Sequence, residues 1–207
     1  AAANELLGGP ATKAMLLECA MAGEQAGCGS IHPDNVTPSL YGGFILARSA
    51  QPPDIVRLPV PNGLACAVLH PRIEIETGAA RRLIGDQVAL KDATRQWANV
   101  GGLVAALYTS DLKLLSRSLV DHIAEPKRAS LVPGLSEIKT AAMSAGALGC
   151  SLSGSGPSVF ALAATLDIAR AAGEAMQVAF ERASTVGSDL WVCPVGRQGA
   201  RVIDIHG

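Results

Sequence analysis

Aromatic side chains make up only 3% of this 207-residue chain, and charged ones only 17%. So few rings exclude a core built on aromatic packing, and the abundance of Ala and Gly implies small side chains that let elements approach closely. Neither sign of charge is in excess: the formal net charge is −1, with Lys and Arg scattered rather than gathered in a stripe. Without a basic field, no nucleic-acid partner is expected. No apolar run approaches the ~20 residues that span a bilayer, and no charged n-region precedes a cleavage site, so no membrane partner is expected either. Cys19, Cys28, Cys66, Cys150 and Cys193 are odd in number, form no C-x-x-C pair and sit in apolar runs. That usage reads as reduced thiols in a cytoplasmic protein.

What is present is 49% hydrophobic content, enough for one globular domain or two small ones sharing a core. The most informative stretch is Gly27-Cys28-Gly29-Ser30-Ile31-His32-Pro33-Asp34-Asn35-Val36. Its glycines turn freely, and Pro33 fixes its own φ while pushing His32 out of helical geometry. His32, Asp34 and Asn35 then read either as ligand-facing groups on a stiffened turn or as ordinary turn formers bonding their own backbone. Glu24, at the end of a helix expected from Lys13 to about Ala26 with Thr12 as its cap, is either solvated or set beside that turn to meet a metal or a bound cation.

Three strands follow at 41–47, 54–58 and 64–69, separated by Pro- and Gly-bearing turns. A short helix over 76–84 places Thr77 and Arg81 four apart on one face, where Arg81 is a surface cation or a fork for an anion. From about Lys91 to Tyr108, Trp97, Val100, Val104 and Leu107 recur at helical spacing, with Trp97 expected in the core and Gly101-Gly102 at a close packing contact. Asp111 starts the next helix, which ends in the Pro-stopped charged segment 121–128. A helix over 135–145 and a strand over 148–152 lead to Ser153-Gly154-Ser155-Gly156-Pro157-Ser158. That loop is a plain hairpin turn or a row of backbone N–H groups able to cradle an anion; it lacks the Lys-Ser/Thr ending of a Walker loop. A strand over 159–163, a helix from Asp167 to about Ala183 and strands at 189–193 and 200–205 complete an α+β arrangement of helices on a mostly antiparallel sheet.

Glu24, His32-Pro33-Asp34-Asn35, Thr77 to Arg81, Glu125-Pro126-Lys127-Arg128 and Leu152 to Ser158, in that order and at those separations, resemble the homoserine kinases. These belong to the small-molecule kinase superfamily that also holds mevalonate kinase, phosphomevalonate kinase and galactokinase. The resemblance covers the whole chain. It implies MgATP-dependent phosphorylation of the side-chain hydroxyl of L-homoserine, on the way to threonine. By position it makes Glu24 the Mg²⁺ ligand and His32, Asp34 and Asn35 substrate-binding residues, with Asp34 facing the ammonium. Arg81 and Arg128 become the pair holding the substrate carboxylate, supported by Thr77. Ser153, Gly154, Ser155, Gly156 and Ser158 become the loop beside the transferred phosphate. No residue is assigned as a catalytic base.

The resemblance also implies a remnant of an N-terminal ATP- and substrate-binding domain over 1–60 and a ferredoxin-like C-terminal domain over 61–207, and it allows a homodimer. The family's ATP phosphate loop is expected just before Ala1, so the chain alone is expected to turn over little ATP. Two readings compete with it. A mevalonate-type kinase would keep the paired Arg but leave Asp34 without an ammonium, and a non-catalytic amino-acid-binding module would have no use for Glu24.

Overall fold

The computed structural model describes residues 1–28 and 32–203, apart from the side chains of Cys28 and Thr77. The chain forms two compact units, residues 1–60 with the tail from 196, and residues 61–195.

The first unit contains α1 (Ala2–Leu6), α2 (Lys13–Cys28), α3 (Pro33–Tyr41), β1 (Phe44–Ser49) and β2 (Asp54–Leu58). Thr12 caps α2 as expected, its Oγ1 accepting the Met15 N–H at 3.3 Å. Of the stretch read as a turn, the part from Pro33 is instead the start of α3, and Gly27 and Cys28 end α2. His32 is extended at the N-cap (φ −125°, ψ 97°) and Pro33 occupies the first turn, where its missing N–H costs nothing. The expected strand from Tyr41 therefore begins only at Phe44, after Gly42 (φ 73°) breaks the helix. β1 and β2 pair antiparallel, and Leu17, Met21 and Leu40 form a small core with Val36 and Ile55.

The tail joins this unit by backbone bonds. Gly43 N–H donates to Gly196 O at 2.7 Å and Ala200 N–H to Ser39 O at 3.0 Å. A Cβ on Gly199 would lie 2.1 Å from Leu40 O, so only glycine fits there. Residues 200–203 are not a strand, contrary to the strand expected over 200–205; the Ala200 N–H serves this docking instead. The remainder of that expected strand lies outside the described residues.

The second unit runs β3 (Ala65–Pro71), α4 (Thr77–Arg82), α5 (Leu90–Thr109), α6 (Leu112–Ser118), α7 (Ala124–Arg128), α8 (Leu135–Ser144), β4 (Gly149–Leu152), β5 (Val159–Ala163), α9 (Leu166–Ala183) and β6 (Ser188–Pro194). The sheet order is β4-β5-β3-β6, every pair antiparallel. This is the ferredoxin-like β-α-β-β-α-β plan. Along β3, Ala65, Ala67, Leu69 and Pro71 are buried while Cys66, Val68 and His70 alternate onto the other, more open face. The buried face packs on α8 and α9 through Leu69, Ile138, Val159, Met176 and Phe180. Small residues do allow close approach here: a Cβ on Gly173 of α9 would come within 3.0 Å of the Ala67 Cβ.

Four local readings need correction. Trp97 is 64% exposed; α5 buries Ala93, Ala106 and Leu107 instead. Of the Gly pair, only Gly102 meets a neighbour, Ser118 of α6, while Gly101 faces open space. The segment 121–128 does not end a helix but begins α7, because the Asp121 carboxylate accepts the amides of Ile123, Ala124 and Glu125. Likewise Thr165, rather than Asp167, caps α9.

Candidate active site

In the first unit, Glu24 sits partly buried on α2, and Asp34 and Asn35 stand exposed in the first turn of α3, with His32 partly buried at its cap. Asp34 stands in that first turn, where the helix dipole favours a negative group. Among the described residues no group of three or more His, Cys, Asp or Glu could hold a metal ion. Glu24 fits Mg²⁺ only in the way a lone carboxylate can, in company with phosphate oxygens and water. Residues 29–31 of the turn and the side chain of Thr77 lie outside the described residues.

The second unit is built differently. Arg128, at the last turn of α7, is only 8% exposed. Its Nε donates to Ala80 O at 3.0 Å and its Nη1 to Gly154 O at 2.9 Å. One guanidinium thus ties α4, at the residue before Arg81, to the glycine loop. Among the described residues no carboxylate lies within ion-pair distance of Arg128. A buried cation that meets only carbonyl oxygens is poorly compensated, and an arriving anion would be held strongly. Arg81 is exposed on the last turn of α4.

Glu125, three residues before Arg128 and 8% exposed, anchors the same helix. Its carboxylate pairs with Lys139 of α8 and accepts Ser151 Oγ at 2.5 Å and Leu152 N–H at 3.1 Å. These last two residues lead directly into the loop. Sequence reasoning quoted Glu125 but gave it no task, and it passed over Lys139 and Ser151. The available signal was an acid and a base three apart, on one face of a short helix.

The loop itself closes with Ser153 N–H on Ser158 O at 2.8 Å and Gly156 N–H on Ser153 O at 3.0 Å. Gly154 (φ 60°) and Gly156 (φ 82°) both adopt the left-handed region. The amides of Gly154, which is exposed, and Ser155, which is half-buried, take part in neither closing bond, which is compatible with an anion cradle. Ser158, at the far end, shares a hydrogen bond of 2.8 Å with His70 Nδ1. The thiols of β3 and β4 keep clear of this chemistry: burial pushes Cys150 up to about 12, and partial burial, then Cys193, pushes Cys66 up to about 12.

Residues 103–182 match the family described as GHMP kinases C terminal. The chain is 53% identical over 204 residues to a homoserine kinase of Chlorobium phaeovibrioides, covering 98% of this chain and 64% of that relative. It is 39% identical over 184 residues to one from Pyrococcus abyssi, covering 88% of this chain and 60% of that relative. The crystal structure of homoserine kinase from Cytophaga hutchinsonii superposes with a TM-score of 0.91 at 50% identity, covering 95% of this chain and 62% of that one. This chain thus spans about 64% of the length of the curated relative it matches. The fold, the loop and these similarities agree: residues 103–182 match the GHMP kinase C-terminal family, and the relatives matched over almost the whole of this chain are homoserine kinases.

Proposed function

We propose that the protein carrying this chain is a homoserine kinase, transferring the γ-phosphate of ATP to the side-chain hydroxyl of L-homoserine to give O-phospho-L-homoserine. Its place is cytoplasmic threonine biosynthesis. The observation that carries this reading is the buried Arg128, fixed beside the glycine loop by carbonyl oxygens and, among the described residues, with no carboxylate at ion-pair distance. A substrate carboxylate supplies the missing charge, and a planar fork binds it with direction as well as strength.

Within this reading Arg128 and Arg81 take the carboxylate, with Thr77 supporting that end. Asp34 takes the ammonium, and His32 and Asn35 complete recognition of the amino acid. Fixing both ends of a zwitterion orients its hydroxyl, and orientation alone supplies much of the rate in such transfers. The Ser153 to Ser158 loop offers its amides to the transferred phosphate. Mg²⁺, held by Glu24 and ATP oxygens, would neutralise charge building on those phosphates.

The test is coupled ADP release by the full-length protein with Mg²⁺ and ATP, comparing L-homoserine with mevalonate. Homoserine-dependent ADP, lost on Arg128→Lys through a raised KM, is the expected result. Turnover with mevalonate alone would reassign the substrate, and absence of turnover with either would refute the kinase reading.

A further inference from the structure

His70 takes no part in the roles above, yet it touches the loop. It lies near the end of β3, whose register pairs Leu69 with Val159, so the next pair outward is His70 with Ser158. The side chains meet there, Nδ1 to Oγ, at 2.8 Å. On the other side His70 faces Asp189 of β6 in register, and its ring lies 6.2 Å from that of Trp191 at 51°. The charged groups facing it are Asp189 and Arg72, which satisfy one another: the guanidinium donates twice to the carboxylate, at 2.6 and 3.1 Å. That bond holds the Asp189 carboxyl below the usual carboxylate range. The imidazole is thus flanked by β5 and β6, with Nδ1 directed at a single partner, the Ser158 hydroxyl.

A serine hydroxyl has one hydrogen and two lone pairs. If its hydrogen is spent on Nδ1, Ser158 offers an incoming phosphate oxygen only lone pairs, which repel it. If Nδ1 carries the hydrogen, His70 donates to Oγ, and the Ser158 hydrogen is left to donate elsewhere. We infer that His70 is a positioning residue that donates through Nδ1 to Ser158, and so directs the Ser158 hydroxyl hydrogen at an anionic oxygen in the 153–158 loop. The ligand chemistry is a phosphoryl oxygen, so this deepens, and rests on, the assignment of the loop to the transferred phosphate.

Asn and Gln separate this role from bulk packing. The amide of Asn stands where Nδ1 stands, whereas that of Gln reaches one bond further, toward the position of Nε2. In the full-length protein, His70→Asn should keep kcat within about threefold of wild type while His70→Gln and His70→Phe lower it about tenfold, the scale of one lost hydrogen bond. KM for L-homoserine should stay within about twofold for all three. On a Ser158→Ala background, His70→Phe should have no further effect, because the two act as one unit. Additive losses in that cycle, or equal losses for Asn and Gln, would overturn the role of His70. Full activity of His70→Phe beside an impaired Ser158→Ala would overturn it while leaving the loop assignment standing. Full activity of Ser158→Ala would remove both.

Discussion

Arg128 in the second unit is buried and doubly bonded to carbonyls of two elements, while Asp34 in the first stands exposed on the opening turn of α3. Both are candidate substrate ligands, but only one is woven into the fold. The second unit sets Arg128 and Glu125 into a sheet and helix core centred on Leu69, Ile138 and Phe180. The first, among the described residues, has a smaller apolar core of Leu17, Met21 and Leu40 and carries its candidates half-buried or exposed. In the second unit, then, a candidate binding residue doubles as a brace, so damage to binding and damage to stability cannot be separated by a simple deletion. In the first they can.

The strongest test of that contrast is Glu125→Ala. It leaves Lys139 and Ser151 facing an empty, buried position, and loss of one partner of a buried pair costs about 3–5 kcal/mol. Urea unfolding should show that loss, and one below about 1 kcal/mol would mean that Glu125 does not brace the loop. Arg128→Lys comes next. It keeps the charge but cannot bridge Ala80 O and Gly154 O together, so a loss of about 1–3 kcal/mol is expected by the same measurement.

Alkaline pH acts more gradually. Cys66 and Cys150 have folded values raised from 9.0 to about 12, so their contribution is intact below the unfolded value and lost as pH climbs toward the folded one. Each should cost up to about 1.4 kcal/mol per pH unit above ~9, and Cys150→Ala should flatten the slope measured between pH 8.5 and 10.5. The smallest effect on folding is expected for Asp34→Asn, within about 0.5 kcal/mol, although KM for L-homoserine should rise steeply. A destabilisation comparable to that of Arg128→Lys would erase the distinction between the units.

Much of the second unit was legible because its signals are local: Asp111 as a cap, the apolar β3, the Gly-Ser loop between two short strands, and the long α9 all appear where periodicity and turn residues put them. The failures have physical causes. Trp97 shares a helical stripe with Val100 and Leu107, yet periodicity gives a face only approximately: α5 buries Leu107 with Ala93 and Ala106 and leaves Trp97 and Val100 exposed. Pro33 was read as stiffening a turn, although the same fixed φ serves the first turn of a helix. The tail was expected to form a strand over 200–205, but the Ala200 N–H is taken by Ser39 O and Gly199 packs closely against Leu40 of α3. Within the candidate site, sequence separation hid what only folding reveals. Arg128 and Gly154 touch across the chain, Glu125 is held by Ser151, and His70 reaches Ser158.

The chain leaves the first unit after Val60 and comes back at Gly196, and its outgoing and returning strands lie side by side. Ala65 is paired with Pro194, and Val195 N–H donates to Leu64 O at 2.9 Å. Seen from the first unit, everything between is a cassette whose two ends already meet. Such an insertion imposes about the closure entropy of a short hairpin, whatever its length. Cassettes of that kind can be exchanged or trimmed during descent without unfolding their host, and joining Val60 to Gly196 by a short turn would be the direct way to ask whether the first unit keeps its own packing.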